Sequence, residues 1–480
     1  MLSPSPQFVR LSPRLNPRPV PWISTAITVA TLALFVALVG QAFVARGIAS
    51  WAVGIVYVLY DTALLGFTAL HIARLNPSSA DAAAAKQAPA LTVIIAAYNE
   101  AAALSVTIDT LMQSANPPEA IILADDGSTD GSADVLRDRY GLDQPAEGAI
   151  SPPSPHLPAL RWLRLPHAGK ARALNAAIPL VETDLMLTVD ADTLLAPGAL
   201  DAMRQAFCDD ANLVAATGVL RPLCGNRPVE RLFQWFQGYE YVRNFLSRRA
   251  WMDLNALLLI SGAFAAFRKD AVVEVGGFDP DCMVEDYELI HRLHRYSADH
   301  RRGWSIGVVG AAMASTDAPA GPMAFLRQRR RWFGGFLQTQ HWNRDMVANA
   351  RYGKLGTAML PVKALDTLQP IYGIAAFIIL IAFIITGRLN IAVPIIGVMI
   401  GKTLVDLTFH LWSLRRYKAW TGQREGLSIG PAILASFAEP FSFQLLRHAG
   451  AAWGWIAFLT GGSGWGRQQR TAIAEMKHSS

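Results

Sequence analysis

Four apolar runs, each long enough to cross a bilayer, dominate this 480-residue sequence. They cover residues 22–44, 51–70, 356–386 and 391–414. A helix rises about 1.5 Å per residue, so about 20 apolar residues cross the hydrocarbon core of a membrane. Only 17% of the residues are charged, whereas soluble domains average about a quarter. The runs therefore predict a membrane protein with two pairs of spanning helices.

Basic residues predict how these helices are oriented. Segment 1–21 is rich in proline and serine and contains three arginines, so we expect it to be disordered and cytoplasmic. A cleaved signal peptide is the alternative for 22–44. A second apolar run follows after a short turn, however, which favours two transmembrane helices within 22–72. Basic residues after position 414 mark the return to the cytoplasm.

The C-terminal region, 351–460, ends in a broken apolar stretch. Residues 428–460 are interrupted by Glu439 and Pro440. The stretch is long for one span and short for two, so we predict a re-entrant or interfacial pair of helices, with one span as the alternative. A cytoplasmic tail is expected at 461–480, which favours an even number of crossings.

The region between the two pairs of runs has the pattern of a soluble α/β domain. We expect a small polar linker at 73–90 and the domain at 91–350. Short apolar strands are predicted at 91–97, 120–124, 160–165 and 185–189, and they alternate with helical stretches. This alternation predicts a mostly parallel, doubly wound sheet. Aromatic and basic residues mark two later helices, and the one at 229–251 is expected either at the membrane interface or packed on the sheet.

Polar residues follow three of the predicted strands, at the sheet edge where open α/β folds bind ligands. These groups are Tyr98-Asn99-Glu100, Asp125-Asp126-Gly127, and the pair Asp190 and Asp192. Taken alone, Asn99 can be a helix cap and an Asp-x-Asp pair can be a turn. Two close carboxylates nevertheless repel each other unless a cation joins them, and Mg²⁺ or Mn²⁺ prefers such oxygen ligands.

Lys170 and Asp286 are candidates for binding and acid–base chemistry. Lys170 follows Gly169 in the first turn of a predicted helix, where a cation opposes the helix dipole and an anionic ligand such as a pyrophosphate would explain it. A surface lysine is the alternative. Asp286 follows Glu285 just before a helix at 289–295 and could act as a general base toward a sugar hydroxyl, or the acids could simply cap the helix.

A further candidate site is a basic helix face formed by Gln328, Arg331 and Trp332. Their spacing of i, i+3 and i+4 places them on one side of a helix. An indole with amide and guanidinium donors suits a sugar ring, although an arginine-rich helix can also face solvent or lipid. The net charge of +6 is clustered near the N-terminus, at 327–331 and after 414. This distribution favours anionic lipid or a phosphate-bearing substrate over a nucleic acid.

The ordered set of motifs resembles the membrane-embedded family 2 glycosyltransferases, which include poly-N-acetylglucosamine, chitin-oligosaccharide, hyaluronan and cellulose synthases. The resemblance covers about 91–342. It implies an α/β GT-A domain, which binds nucleotide-diphospho-sugars, inserted between transmembrane helices. One departure is Val284, which stands where the family motif often has a threonine, so a hydroxyl is lost beside the expected base.

The resemblance also implies a role for each motif. The implied donor-binding residues are Tyr98, Glu100, Asp125, Asp126, Lys170 and Asp190. Asp192 together with Asp190 would hold Mg²⁺ or Mn²⁺, and Asp286 would be the catalytic base. The implied acceptor-binding residues are Gln328, Arg331, Trp332 and Gly262, the last within a segment that lines the acceptor entrance.

The expected function is therefore inverting transfer of a sugar from a UDP-sugar to a growing polysaccharide, with UDP-GlcNAc or UDP-Glc favoured and with export. The expected location is the inner membrane of a bacterium, in contact with lipid, with export or accessory subunits as further partners. Transfer of a single sugar to a lipid or lipid carrier is the first alternative. A membrane protein that binds nucleotide sugars without turning them over is the second.

Overall fold

The computed structural model describes residues 5–75, 88–423 and 429–461. The predicted linker at 73–90 and the predicted tail at 461–480 lie mostly outside these ranges. The helices are α1 Pro6–Leu11, α2 Trp22–Val44, α3 Ala52–Ile72, α4 Leu104–Met112, α5 Ser132–Tyr140, α6 Lys170–Ala177, α7 Ala199–Asp209, α8 Pro228–Met252, α9 Lys269–Glu274, α10 Glu285–His300, α11 Pro322–Trp342, α12 Leu360–Ile385, α13 Leu389–Thr421, α14 Ile429–Ala438 and α15 Phe443–Leu459. The strands are β1 Leu91–Ala97, β2 Ala120–Asp125, β3 Leu160–Arg164, β4 Leu185–Asp190, β5 Thr193–Leu195, β6 Leu213–Leu223, β7 Phe264–Arg268 and β8 Ser305–Asp317.

Four helices in the described ranges are long and apolar enough to span a membrane. They are Trp22–Val44, Gly47–Ile72, Leu355–Ile385 and Leu389–Thr421, which agree with the four predicted runs. Large apolar side chains such as Val36, Phe43 and Ile385 remain exposed on these helices. Exposed apolar surface of this extent marks a contact with lipid or protein, so the four helices fit a bilayer.

The catalytic-domain candidate is built on an eight-stranded sheet of order β3-β2-β1-β4-β7-β6-β8-β5. β1 pairs in parallel with both β2 and β4, and β2 pairs in parallel with β3. β1 is buried on both faces, because helices cover both sides of a parallel sheet. The predicted parallel arrangement is therefore confirmed for the half of the sheet formed by β1–β4.

In the other half of the sheet β6 and β8 pair in parallel and run in the same direction as β1–β4, which agrees with the predicted mostly parallel sheet, and β5 and β7 are the exceptions. β7 runs antiparallel to both β4 and β6, and β5 runs antiparallel to β8. The chain returns to the sheet through β7 after the long helix α8, so the direction of β7 depends on how that helix packs. The pattern of apolar residues within a strand carries no information on this choice.

The C-terminal stretch forms two helices, α14 and α15, as one of the predicted arrangements had it. The break between them is a short 3₁₀ turn at Glu439–Phe441. α15 packs closely against α11, since a Cβ added to Gly450 would lie 2.6 Å from the Cβ of Arg329. A Cβ on Gly454 would lie 2.9 Å from the carbonyl oxygen of Arg330. The glycines therefore bring the helix with the acceptor-type motif against the C-terminal region.

The prediction of a disordered segment at 1–21 is wrong for its described residues. α1 lies on the α/β domain, with Phe8 only 1% exposed, and Arg14 pairs with Asp279 at 3.0 Å. Composition alone favoured disorder because proline and serine rarely build a core. Phe8, the Arg14–Asp279 ion pair and a second ion pair between Arg18 and Asp299 attach the segment to distant parts of the chain.

Candidate active site

The predicted site residues converge at the carboxyl ends of β1, β2 and β4. Because these strands are parallel neighbours, the loops that follow them meet at one edge of the sheet. Ala97 at the end of β1 is in register with Asp125, and Ala96 is in register with Asp190. The structure therefore brings together motifs that lie far apart in the sequence.

The loop after β1 interlocks with the loop after β2. Asn99 adopts a left-handed conformation with φ of 58°, and its side-chain oxygen accepts a 2.7 Å hydrogen bond from the backbone N–H of Thr129. Its own N–H donates to Ser128. Asn99 is thus not a helix cap, and it instead holds the two loops together. Glu100 beside it is 9% exposed.

Tyr98 forms an aromatic platform with a residue that the motif analysis did not select. Its ring stacks on that of His167 with centroids 4.0 Å apart and planes tilted by 16°. Tyr98 is 38% exposed, so one ring face of the pair is available to a planar ligand. The one signal in the sequence for a role of His167 is its position three residues before Lys170.

Asp125 and Asp126 are both buried and hydrogen-bonded within the protein. Asp125 accepts from the indole N–H of Trp162 at 3.1 Å and from the N–H of Ser128 at 2.8 Å. Asp126 accepts from the N–H groups of Ala168 and Gly169. These bonds shape the loops around the predicted donor pocket. A direct contact of either carboxylate with a donor stays a prediction.

Lys170 is the centre of charge at this edge of the sheet. Its ammonium lies 2.5 Å from Asp190, 3.6 Å from Glu285 and 3.3 Å from the carbonyl oxygen of Gly262. Burial by itself would lower the pKa of Lys170, but Asp190 and then Glu285 outweigh it, and the pKa is raised. The anions that Lys170 faces in the structure are therefore carboxylates, and the predicted contact with a diphosphate stays a prediction.

Asp190 and Asp192 provide the oxygen ligands that a hard divalent cation prefers. Asp192 is 5% exposed, and burial, with the nearby charges of Asp190 and Asp317, raises its pKa. Excess negative charge in a buried place is what a cation would relieve. No group of three or more metal-ligating side chains occurs in the described residues. The donor set thus fits a cation that takes its remaining ligands from a diphosphate and water.

Asp286 is held at the start of α10 by two backbone donors. The N–H of Gly262 donates to Oδ2 at 2.7 Å, and the N–H of Tyr287 donates to Oδ1 at 2.8 Å. A Cβ on Gly262 would lie 3.0 Å from Oδ2, so the close approach depends on glycine. Each carboxylate oxygen retains a lone pair that can take a proton. Gly262 therefore orients the carboxylate and connects it with Lys170.

Glu285 is a second residue of the site that the motif analysis left without a role. It is 4% exposed. Burial raises its pKa, Lys170 and Arg331 act in the opposite direction, and Asp286 adds to the rise. Glu285 thus lies between the cation of the predicted donor site and the arginine of the predicted acceptor helix. The sequence shows Glu285 beside Asp286, but it does not show that Glu285 lies near Lys170 and Arg331.

The predicted acceptor residues lie on α11 next to this cluster. Gln328 is 8% exposed, and its side-chain oxygen is buried without a hydrogen-bond partner among the described residues. The guanidinium of Arg329 lies 4.4 Å from the ring centroid of Trp332 and bonds to Glu240 at 2.7 Å. Arg329, held by Glu240, thus packs against the ring of Trp332. The sequence did not single out Arg329 or Glu240. The structure does not test whether a sugar binds there.

Comparisons with known proteins agree with this arrangement. Residues 89–335, just over half of the chain, match the family model described as "Glycosyltransferase like family 2". The chain is 29% identical over 246 residues to poly-beta-1,6-N-acetyl-D-glucosamine synthase of Staphylococcus aureus strain COL, covering 51% of this chain and 54% of the relative. It is 27% identical over 214 residues to the Staphylococcus epidermidis protein of the same name, covering 44% and 47%.

A solved structure extends the likeness to the fold. It is a mannosyltransferase from Pyrobaculum calidifontis in complex with GDP-Man and Mn²⁺, with a TM-score of 0.51 and 20% identity, and the match covers 82% of this chain and 99% of that one. The chain spans about half the length of the curated relatives it matches. The extent of the family match and the mixed sheet carrying the ordered motifs lead to one conclusion: the chain belongs to the glycosyltransferase-like family 2.

Proposed function

We propose that this protein is an inverting, metal-dependent glycosyltransferase of a bacterial inner membrane, which lengthens a polysaccharide from a UDP-sugar. The observation that carries the proposal is a chain of contacts: Lys170 binds both Asp190 and the carbonyl oxygen of Gly262, and the N–H of Gly262 binds Asp286. A cation, a carboxylate pair and an oriented base are the groups that transfer from a nucleotide sugar requires. They meet at the edge of the sheet where ligands bind.

The chemistry needs one displacement. Asp286 accepts the proton of the acceptor hydroxyl, the hydroxyl oxygen forms a bond to the anomeric carbon, and the bond from that carbon to the diphosphate oxygen breaks. Attack from the side opposite the leaving group inverts the anomeric centre. The ammonium of Lys170, already drawn to this point by carboxylates, offsets the charge of the departing UDP.

Asp190 and Asp192 would hold Mg²⁺ or Mn²⁺, which when bound supplies positive charge to the leaving diphosphate. The solved mannosyltransferase contains Mn²⁺ with GDP-Man, and the acidic pair of this chain, partly exposed Asp190 and buried Asp192, suits the same class of ion. Tyr98 and His167 offer a stacking surface for the nucleobase, and Asp125 and Asp126 shape the loop around it.

The curated relatives favour N-acetylglucosamine as the sugar. Both Staphylococcus proteins are named poly-beta-1,6-N-acetyl-D-glucosamine synthases, and the family match over residues 89–335 includes the candidate site. We therefore propose UDP-GlcNAc as the donor and a chain of N-acetylglucosamine as the acceptor and product. UDP-Glc is the second candidate donor.

A cavity with charged residues in its wall, among the spanning helices, supports the further proposal that the polysaccharide is exported. It has a volume of about 80 Å³, and the residues that line it include Trp51, Tyr57, Asp61, Lys402 and His448. Lys402 pairs with Asp61 at 2.6 Å. Charged residues within a membrane bundle commonly mark a substrate path, and a hydroxylated chain needs such donors and acceptors in place of water.

The contact between residues 5–18 and the α/β domain supports a cytoplasmic position for that domain. A helical hairpin of α2 and α3 would have the start of α2 and the domain after α3 on the same side of the membrane, and this contact agrees with such a hairpin. The arginines of this segment favour the cytoplasmic side. We propose a multi-pass arrangement with the four spanning helices around a cytoplasmic catalytic domain.

The test is an assay of the purified full-length protein in lipid nanodiscs. Radiolabelled UDP-GlcNAc, UDP-Glc and GDP-Man are supplied separately, with Mg²⁺, with Mn²⁺ or with EDTA. We expect a polymer from UDP-GlcNAc that requires a divalent cation and that Asp286→Asn does not make. Polymer formation by Asp286→Asn at the wild-type rate would refute the assignment of the base.

Product length distinguishes the first alternative. A lipid carrying one sugar, with no polymer at any excess of donor, would favour single transfer to a lipid or lipid carrier. Binding of UDP without hydrolysis or transfer would favour a protein that binds nucleotide sugars without turning them over.

A further inference from the structure

The segment that precedes α2 forms a built contact with the catalytic domain. We call residues 5–18 the N-terminal arm. It consists of α1 and the turns that follow, and it lies against α9, α10 and the loop between them. Gln7 donates to the carbonyl oxygen of Glu274 at 2.7 Å. The membrane-facing position of α2 does not require any of these contacts.

Phe8 anchors the arm at the outer side of α10. Its ring lies 4.9 Å from the guanidinium of Arg292, a distance typical of a cation–π contact. Gly276 has φ of 90°, and a Cβ there would lie 2.4 Å from the backbone nitrogen of Phe8. The backbone of the arm thus occupies space that only glycine leaves open.

Arg292 connects Phe8 with the helix that begins at the catalytic base. It is 1% exposed and binds Glu288, which is fully buried, through two hydrogen bonds of 2.6 and 2.7 Å. It also donates to the carbonyl oxygens of Val275 and Gly277. The first turn of α10 is therefore packed, through Arg292, against the arm.

Arg14 makes a polar contact between the arm and the loop that follows α9. Its guanidinium binds both oxygens of Asp279, at 3.1 and 3.0 Å, and one oxygen of Asp281 at 3.0 Å. Asp279 is fully buried. A bidentate guanidinium–carboxylate pair fixes direction as well as distance. Arg14 therefore holds the loop that leads from α9 to Asp286.

The same loop connects the other two motif-bearing helices. Arg172 on α6, two residues after Lys170, binds the second oxygen of Asp281 at 3.0 Å. Arg14 also lies 5.7 Å from the ring centroid of Trp342, at the end of α11. On the far side of the loop, the N–H of Met283 donates to Gln338 of α11 at 3.2 Å. Arg14 thus contacts α11 directly and is connected with α6 through Asp281. It is therefore linked to the elements that carry the predicted donor, base and acceptor residues.

We propose that Arg14 is a positioning residue: it holds the loop 279–284 and, through that loop, sets Asp286 relative to the donor helix α6 and the acceptor helix α11. The inference rests on the proposed transferase function for its kinetic consequence, but its structural consequence stands separately. Removal of Arg14 leaves Asp279 buried without its cation. The loop then loses its fixed direction, although the chemical groups of the site remain present.

The experiment compares full-length Arg14→Ala, Arg14→Lys and wild type in nanodiscs, with Arg10→Ala as the matched control. Arg10 lies on the same arm and is exposed, and its side chain bonds to Gln7 within the arm and to no other part of the described ranges. We expect Arg14→Ala to lower kcat about tenfold, on the scale that small misplacements of a reacting group produce. The KM for the donor should change less than about twofold because Lys170 and Asp190 are unaltered. Arg14→Lys should restore part of kcat, since lysine keeps the charge but not the two-pronged bond.

Hydrogen exchange provides a readout that needs no activity. Backbone amides in peptides covering 279–290 should exchange faster in Arg14→Ala than in Arg10→Ala. The two variants are compared in samples that are equally monodisperse by size-exclusion chromatography. Unchanged exchange there would overturn the proposal, as would a kcat per folded molecule equal to that of Arg10→Ala. Absence of transfer by the wild type, together with faster exchange in Arg14→Ala, would instead refute the proposed function and keep the structural role of Arg14.

Discussion

The contact between Gly262 and Asp286 allows the placement of the base to be tested by adding one methyl group. In Gly262→Ala the new Cβ would lie 3.0 Å from Oδ2 of Asp286 and 3.2 Å from its Cβ. Ordinary van der Waals contact begins at 3.4 Å, so the carboxylate must shift by about 0.4 Å. A misplacement of about 1 Å can cost about 10²-fold in rate, so we expect kcat to fall roughly tenfold, which is about 1.4 kcal/mol in activation free energy.

The assay measures initial rates of transfer from UDP-GlcNAc at saturating donor, per folded molecule. Gly238→Ala is the matched control, because Gly238 lies on α8 and nothing is within 4 Å of its added Cβ. Asp286→Asn sets the floor of the scale. If Gly262→Ala retained the rate of Gly238→Ala within about twofold, the geometry at Gly262 would not govern the base.

Three further outcomes are expected. Lys170→Met should lower the free energy of unfolding by about 3 kcal/mol, because it leaves the carboxylates of Asp190 and Glu285 without their cation. Lys170→Arg is the control, and an unchanged thermal midpoint of Lys170→Met would contradict this role of the lysine in stability. Burial lowers the pKa of His294 to about 4, whereas a histidine in the unfolded chain has a pKa of about 6.5. As the pH falls, the unfolded chain therefore binds a proton first. The free energy of unfolding should drop by about 3 kcal/mol between about pH 6.5 and about pH 4. His294→Gln should flatten that pH dependence of thermal unfolding, and an identical slope would refute it. Trp332→Ala should raise the KM for the acceptor about tenfold with the donor KM unaltered, as the loss of one stacking platform would; equal changes in both would indicate a general loss of structure.

The electrostatic arrangement explains why one lysine can serve both stability and function. Lys170 faces Asp190 and Glu285, two carboxylates that a buried site would otherwise disfavour. The same cation lies where the departing diphosphate is proposed to be. Replacement of Lys170 should therefore affect both folding and transfer, whereas replacement of Asp286 should affect transfer alone.

Local elements near the site could be predicted well because their signals are local. β1 Leu91–Ala97 has the predicted bounds, since a run of apolar residues followed by polar residues specifies them. The α11 motif was also visible, because helical spacing places Gln328, Arg331 and Trp332 on one side. None of these inferences required knowledge of a distant partner.

Residues that act through distant partners could not be predicted from the sequence. Arg14 and Asp279 are 265 positions apart, and composition alone assigned the arm to disorder. Arg329 and Glu240 are 89 positions apart, and each taken singly reads as a surface charge. His167 was hidden for a similar reason, since its value lies in stacking on Tyr98 from another loop.

The sequence by itself determined the membrane runs, the strand–helix alternation and the ordered motifs of a family 2 glycosyltransferase. These are encoded in hydrophobic period and turn chemistry over a few residues. The tertiary structure alone decided the antiparallel strands β5 and β7, the docking of the arm and the contact of Lys170 with Gly262, which lie 92 positions apart. Such meetings depend on how helices pack on a twisted sheet, because packing selects among many chain paths that share the same local pattern.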